Sequence, residues 1–386
     1  MQLSCSTIRQ FTMVERTIEF DNFLSVEARR AWDAYWAASP HSAPRQNACY
    51  GDVEGAQNHR VVYVTGKKDG EVAFIGLYGL SPLFSRNIYS EAVCLRGPVF
   101  DDIAFGKWCL AEVLAFFSKE RIGQVRIGPR WIFPEAEEVE SMLFDLGFEI
   151  FERHNPLGRR STGLISIALD DERLLASFSG YTRRQVRLAD RLGIEIIEAT
   201  KIEQAEEFFI NIKKMYKKKA LGNIARDDFF PVFDHVLKNG QVGVVLNAYS
   251  DSVYLGGLYL TRDGHTVYAY QLVVTDQANE KHRTLRLAPA LFFHGMRWGR
   301  EHGCTAMDLE GYSADIKGAG QLALVYLYKQ GFRPSEVKSL GQYAAVVRPM
   351  IQMVDKIGRK SVASVQKPRR ALARLKAFFK KKRIIG

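Results

Sequence analysis

The chain contains the same succession of elements twice: an apolar helix, a strand led by glycine, a second helix and a Gly-Phe pair. The glycines that lead the two strands are Gly123 and Gly303, and the two pairs are Gly147-Phe148 and Gly331-Phe332. The offset is 180 residues at the first landmark and 184 at the second, so only four residues were gained between them. This regularity predicts a duplicated α/β unit with a cleft between its copies.

Antiparallel strands are predicted before each repeated unit. Lys67-Lys68-Asp69-Gly70 and Arg262-Asp263-Gly264 lie between apolar runs and are typical of hairpin turns. Each copy is therefore predicted as a mostly antiparallel meander followed by a βαβ unit, a mixed α+β arrangement within the α/β class. We expect a first domain over 20–170, a second over 171–350 and a tail over 351–386. No Pro- or Gly-rich linker separates the domains, so tight packing is expected.

The composition suits a globular protein with two cores. Of the 386 residues, 47% are hydrophobic, which is enough apolar surface for both domains. Five unclustered cysteines suggest neither a disulfide framework nor a CxxC site, and the eight histidines show no zinc-ligand spacing. We therefore expect a cytoplasmic protein without a bound metal.

Four short motifs occur in order around the repeat. They are Leu95-Arg96-Gly97-Pro98-Val99, the Arg-rich stretch 181–189, Met307-Asp308-Leu309-Glu310-Gly311 and Tyr328-Lys329-Gln330-Gly331-Phe332. Together, over about residues 50–345, they resemble the Fem-type (FemAB-like) family, whose members have two tandem GNAT-like domains. The resemblance implies transfer of an aminoacyl or acyl group to an amine, often on a peptidoglycan precursor.

Asp308 and Glu310 are the first candidates for proton transfer. They lie two residues apart at the end of a predicted strand, so their side chains point to one face, and Gly311 follows them. An amine that attacks an ester must be neutral, and a carboxylate can accept its proton. The alternative is that Asp308 caps the next helix or pairs with an arginine, and the sequence does not distinguish the two.

Tyr328 and Lys329 are the candidates for contact with the reacting group. The Fem-type resemblance implies that an aromatic-Lys pair before the Gly-Phe strand does this, with Tyr328 here where Phe is usual. Lys329 would stabilise the oxyanion that develops during transfer. Residues 322–328 are apolar on every side and predict a buried helix. A lysine in a last helical turn also complements the helix dipole without any further role.

Arginines are the candidates for substrate binding. Arg183, Arg184 and Arg187 lie within about one helical turn, which suits binding of phosphate or carboxylate, and Arg96 is assigned to the same role. Ion pairs of the three helical arginines with Asp190 or Glu195 are the alternative.

The donor is expected to be aminoacyl-tRNA rather than acyl-CoA, with no bound cofactor. Relatives that use acetyl-CoA hold pyrophosphate with a Gly-containing loop, whereas residues 265–294 contain no glycine. The competing hypotheses are an acyl-CoA- or acyl-carrier-dependent N-acyltransferase and a catalytically inactive, membrane-tethered scaffold. The acceptor is expected to be a cell-envelope precursor or another amine.

The positive charge of the chain lies in its tail. From Lys356 onward there are twelve Lys and Arg and no acidic residue, so the rest of the chain sums to −1. After Pro368, apolar residues recur at helical spacing: Leu372, Leu375, Phe378 and Phe379. Such a basic amphipathic helix predicts peripheral binding to an anionic membrane through residues 356–383, with RNA or no partner as alternatives.

We predict that deletion of residues from Lys356 onward abolishes membrane binding without unfolding the body. Each basic residue near an anionic surface contributes about 1 kcal/mol, and burial of the apolar face adds to this. Flotation with anionic vesicles at low and high salt measures the effect. Equal binding of the truncated and full-length proteins would show that the tail is not the anchor.

Overall fold

The computed structural model describes residues 15–82, 90–151, 159–219, 222–238, 240–315 and 323–348, which form two mixed β-sheets. The predicted tail lies outside these residues. The first sheet contains, in spatial order, β1 (Arg16–Asp21), β2 (Arg60–Lys68), β3 (Glu71–Pro82), β4 (Ser90–Cys94), β6 (Ile122–Ile127), β15 (Tyr343–Val346) and β7 (Glu149–Ile150), with β5 (Val99–Phe100) beside β3. The second contains β14 (Ser335–Leu340), β8 (Arg159–Ser166), β13 (Ala306–Asp308), β12 (Thr266–Val274), β11 (Val253–Arg262), β10 (Gly243–Ser250) and β9 (Glu195–Glu198).

Helices pack on both sheets. In chain order they are α1 (Val26–Ala38), a 3₁₀ turn (Pro44–Gln46), α2 (Cys49–Ala56), α3 (Ile103–Lys119), α4 (Ala136–Asp145), α5 (Asp171–Ser177), α6 (Gly180–Arg191), α7 (Ile202–Lys219), α8 (Arg226–Val232), a π-helical turn (Phe233–Leu237), α9 (Asp276–Lys281), α10 (Ala288–Glu301) and α11 (Ala323–Gln330). Side-chain caps fix several starts. Ser25, Asp102 and Ser179 each accept a hydrogen bond from the backbone N–H three residues later.

The two halves repeat one topology. In the first sheet β4 and β6 form a parallel pair with α3 between them in the chain, and in the second β12 and β13 do so with α10. Antiparallel strands precede each pair. The predicted fold class, a meander followed by a βαβ unit in each copy, is confirmed. Both predicted hairpin turns are also present, because β2–β3 and β11–β12 are joined at these residues.

The halves exchange one strand each. β8 inserts between β13 and β14 of the second sheet, and β15 inserts between β6 and β7 of the first. The expected domains 20–170 and 171–350 place β8 in the first domain and β15 in the second, so the sheets do not follow those limits. The reason is physical: the alternation of side chains along a strand shows which face is buried, but not which sheet the strand joins.

A hydrophobic cluster joins the two halves. Trp32 and Trp36 of α1 are buried in it with Tyr259 of β11. The indole N–H groups of the two tryptophans donate to the carbonyl oxygens of Gln46 and Ala43, each at 2.8 Å, so burial leaves neither group unsatisfied. The two halves therefore pack tightly against each other.

Gly264 lies where the β11–β12 hairpin meets the end of α1. A Cβ atom at this position would lie 1.9 Å from the carbonyl oxygen of Ala37. Because that oxygen belongs to helix backbone, α1 itself would have to move. We predict that Gly264→Ala lowers the free energy of unfolding, measured by urea denaturation, by about 3 kcal/mol.

Gly55→Ala is the matched control. Gly55 is exposed on α2, and a Cβ atom there meets nothing within 4 Å. Alanine has the higher helix propensity by about 1 kcal/mol, so this variant should be as stable as the wild type or slightly more stable. Unchanged stability of Gly264→Ala would contradict the close contact between the hairpin and α1.

Candidate functional site

A narrow pocket of about 50 Å³ lies between the two halves, at the ends of β6 and β13. Arg96, Gly128, Pro129, Arg130 and Ile132 line it from the first half, and Thr162, Leu164, Asp308, Glu310 and Gly311 from the second. Val337 and residues 339–342, where β14 leads to β15, complete the lining. Both carboxylates that the sequence indicates, Asp308 and Glu310, therefore lie in one cleft between the copies.

Asp308 is the last residue of β13 and is only 6% exposed. Its Oδ1 accepts a hydrogen bond from the Thr162 hydroxyl and another, of 2.7 Å, from the backbone N–H of Glu310. Among the described residues no group donates to Oδ2. Burial raises the pKa of Asp308, and the neighbouring charge of Glu310 raises it further. Such a carboxylate is a stronger base than an exposed one.

Glu310 pairs with Arg96 across the pocket. The Arg96 Nη2 atom lies 2.6 Å from Oε1 and 2.7 Å from Oε2 of Glu310. Both residues follow strands and have positive φ, 55° and 54°, which costs a non-glycine residue about 1–2 kcal/mol. The ion pair links these two bends, one from each half. The predicted roles of Arg96 in substrate binding and of Glu310 in proton transfer stay predictions.

Lys329 contacts the backbone of the loop that carries Glu310. Its Nζ donates to the carbonyl oxygens of Glu310 and Gly311, the latter at 2.9 Å. Burial lowers the pKa of Lys329 to about 8, although the charges of Glu310 and Asp308 oppose this shift. Lys329 and Asp308 thus both hold the backbone of Glu310, although Lys329 does not line the pocket.

Tyr328 lies in the core of the second half and not in the lining of the pocket. Its ring packs against Phe292 and Phe332, with centroids 5.8 and 5.5 Å away, and its hydroxyl has no hydrogen-bond partner among the described residues. The expectation that this helix is buried on every side is wrong. Val325 and Leu327 are 42% and 57% exposed, because α11 packs only one of its faces on the core.

The three arginines of α6 do not line the pocket. Arg183 donates to the carbonyl oxygens of Ala176 and Phe178, at 2.9 and 2.8 Å, and so satisfies the end of α5. Arg184 and Arg187 lie on the exposed face of α6, and no ion pair joins them to Asp190 or Glu195 in the structure. A binding role for these arginines would require a substrate that extends to this surface.

Thr162, Tyr268 and Arg130 are among the polar side chains in or beside the pocket that belong to no sequence motif. The guanidinium groups of Arg96 and Arg130 lie 5.5 and 5.3 Å from the centroid of the Tyr268 ring. The repeat points to Arg130, because this residue lies 180 residues before Glu310 and so has the same place in the first copy. No such signal exists for Thr162, because the exchange of β8 brings it to Asp308.

The part of the chain that the structure describes offers no candidate group for metal or thiol chemistry. No cluster of three His, Cys, Asp or Glu side chains there could hold a metal ion. The described cysteines, Cys49, Cys94, Cys109 and Cys304, are buried free thiols. Burial raises the pKa of Cys304 to about 11, so this thiol stays protonated at neutral pH.

Comparison with known proteins agrees with this geometry. Residues 176–318 match the family model of the acetyltransferase (GNAT) domain. The crystal structure of FemX is similar over 87% of this chain and 100% of its own, with a TM-score of 0.75 and 15% sequence identity. The chain therefore has the same fold as FemX, and part of its second half matches a GNAT domain. The predicted resemblance and the predicted enzyme class, an acyltransferase, are both confirmed.

Two other solved structures are similar over most of this chain. A conserved protein of unknown function from Bacteroides thetaiotaomicron covers 86% of this chain and 99% of its own, with a TM-score of 0.53 and 11% identity. A tandem GNAT protein from the clavulanic acid biosynthesis pathway covers the same shares, with a TM-score of 0.50 and 12% identity. No curated protein matches the chain.

We predict that Asp308→Asn is more stable than the wild type at pH 7. Because the pKa of Asp308 is raised in the folded state, the folded protein binds a proton here more readily than the unfolded chain does. Wild-type stability should therefore fall relative to the Asn variant as pH rises above the unfolded value of 3.8, and the difference should vanish below it. Urea denaturation as a function of pH measures this.

The control is Asp21→Asn, which changes an exposed carboxylate at the end of β1. Its stability relative to the wild type should change little over the same pH range. If Asp308→Asn were less stable than the wild type at pH 7, the guanidinium groups of Arg96 and Arg130 would outweigh the cost of burying the charge.

Proposed function

We propose that this acyltransferase moves an aminoacyl or related acyl group onto an amine of a cell-envelope precursor of the peptidoglycan type. The observation that carries the proposal is the buried Asp308 carboxylate, one oxygen of which has no donor among the described residues, in a pocket between two GNAT-like halves. The Fem-type sequence motifs support the class of acceptor.

Asp308 is the general base in this mechanism. The amine nitrogen attacks the carbonyl carbon of the donor, so that a C–N bond forms and the carbonyl oxygen becomes negative. Asp308 Oδ2 accepts the proton that the amine loses. The tetrahedral intermediate then collapses, the bond to the leaving oxygen of the donor breaks, and that oxygen takes up a proton.

Lys329 is the candidate for stabilising the oxyanion. Two of its N–H bonds hold the backbone carbonyl groups of Glu310 and Gly311, which leaves a third for the developing negative charge. The pKa of about 8 keeps the side chain mostly charged at neutral pH. Its fixed position beside the Asp308–Gly311 loop is the geometric support for this role.

Aminoacyl-tRNA is the donor that we favour, and acyl-CoA is the alternative. The segment between β12 and α10 contains the helix α9 and no glycine, whereas a pyrophosphate loop needs close approach of the backbone to the ligand. An inactive scaffold is disfavoured because a buried carboxylate costs stability and contributes no packing that a neutral residue could not.

The test is a transfer assay that offers charged tRNA and acyl-CoA side by side, with lipid-linked and soluble amine acceptors. We expect transfer from charged tRNA to a peptidoglycan-type precursor. Transfer from acyl-CoA alone would replace the proposed donor, and no transfer to any amine would exclude the proposed activity.

We predict that Lys329→Ala lowers turnover by about 10²-fold or more, as expected for the loss of one oxyanion donor. Wild-type turnover should also decline as pH rises through about 8, because Lys329 then loses its charge. Turnover as a function of pH in the two proteins measures both effects.

Gln330→Ala is the neighbouring control, since its side chain donates to the carbonyl oxygen of Ala314, at 3.4 Å, and does not line the pocket. It should keep wild-type turnover. If Lys329→Ala kept wild-type turnover but had a lower melting temperature, Lys329 would serve only to hold the loop.

Attachment to the inner face of the membrane is part of the proposal. No helix within the described residues is long and apolar enough to span a bilayer. The basic segment 356–383 would then bring the pocket to lipid-linked acceptors by electrostatic attraction to anionic lipids.

A further inference from the structure

Arg130 forms an ion pair with Asp263, but the contact is long, and so are its hydrogen bonds to the other described residues. Its Nη1 lies 3.3 Å from the carbonyl oxygen of Pro40 and 3.6 Å from Oδ2 of Asp263, and its Nη2 lies 3.3 Å from Oγ1 of Thr266. Charge-assisted hydrogen bonds of a guanidinium group are usually about 2.7–2.9 Å long. Arg96, in the same pocket, has two such short contacts to Glu310.

Asp263 is committed to other donors. Its Oδ1 accepts the backbone N–H groups of His265 and Thr266 at 2.8 and 2.7 Å, and its Oδ2 accepts the Tyr268 hydroxyl at 2.5 Å. Asp263 is 0% exposed, so its position is fixed. It holds Arg130 in place at longer range, and the guanidinium group keeps hydrogen-bonding capacity for a ligand.

The charges in the pocket define the kind of ligand that fits. Arg96 and Glu310 neutralise each other, and Asp263 lies outside the lining and faces Arg130 only at 3.6 Å, so Asp308 and Arg130 are the charged groups of the lining without a close ion partner. An acceptor that carries an amine and a carboxylate has the complementary pair of charges. Its amine would lie toward Asp308, and its carboxylate toward Arg130.

We propose that Arg130 binds a carboxylate on the molecule that carries the acceptor amine, and so selects acceptors of the amino-acid or peptide type. This inference rests on the proposed acyl transfer and names the chemistry of its acceptor. A carboxylate suits the site better than a phosphate dianion, because the pocket is only about 50 Å³ and already contains two carboxylates.

The test compares Nα-acetyl-lysine with its carboxamide, which differ only in the carboxylate. In the wild type we expect kcat/KM for the carboxylate acceptor to exceed that for the carboxamide by about 10- to 100-fold, mostly through KM. Arg130→Gln should abolish this preference. Arg130→Lys keeps the charge but not the paired N–H donors of the guanidinium group, so it should retain part of the preference. Arg173→Gln, at an exposed position on α5, is the control.

Calorimetric binding of the two probes without a donor separates this inference from the proposed activity. Binding that depends on the carboxylate and on Arg130, without transfer from any donor, would support the subsite and exclude acyl transfer. Transfer with equal use of the two probes by the wild type would overturn the inference alone. Tighter binding of inorganic phosphate than of Nα-acetyl-lysine would overturn the assignment to a carboxylate.

Discussion

The exchange of β8 and β15 between the two sheets is the constraint on which the site depends. β8 pairs with β13 up to Asp308, so Thr162 lies beside the carboxylate, and the backbone N–H of Leu309 donates to Gly163 at 2.9 Å. β15 pairs with β6 at the opposite wall of the pocket. The halves cannot separate without breaking backbone ladders in both sheets, and a buried unpaired ladder group is costly. The pocket is therefore held by secondary structure rather than by side chains alone.

In this pocket, burial shifts the pKa values of Asp308 and Lys329, and opposite charges nearby limit both shifts. Burial raises the pKa of Asp308 and lowers that of Lys329, which makes the carboxylate more basic and the ammonium more acidic. Arg96 and Arg130 limit the shift at Asp308, because each favours a negative charge nearby. The result is a carboxylate that takes up a proton more readily than an exposed one, which suits a general base.

The sequence contained the duplication, both hairpin turns and the two pocket carboxylates, because each rests on a local pattern of glycines, apolar residues or strand alternation. The sequence does not show the exchange of β8 and β15, because the hydrogen bonds between strands join residues that are far apart in the chain. For the same reason Thr162 was missed. Tyr328 was assigned to the site from its motif alone, and the structure packs its ring against Phe332 of the same motif and against Phe292, which is distant in the chain.

The two copies of the repeated unit contribute different chemistry to one pocket. Ile127 and Met307 are 180 residues apart and both face a core, whereas the next residues, Gly128 and Asp308, both line the pocket. A Cβ atom on Gly128 would lie 3.1 Å from the carbonyl oxygen of Gly341, so the chain leading to β15 leaves little room for a second carboxylate. The strand exchange that supports Asp308 in one copy thus crowds the counterpart position in the other, where Gly128 stands, and a single base results from a duplicated strand end.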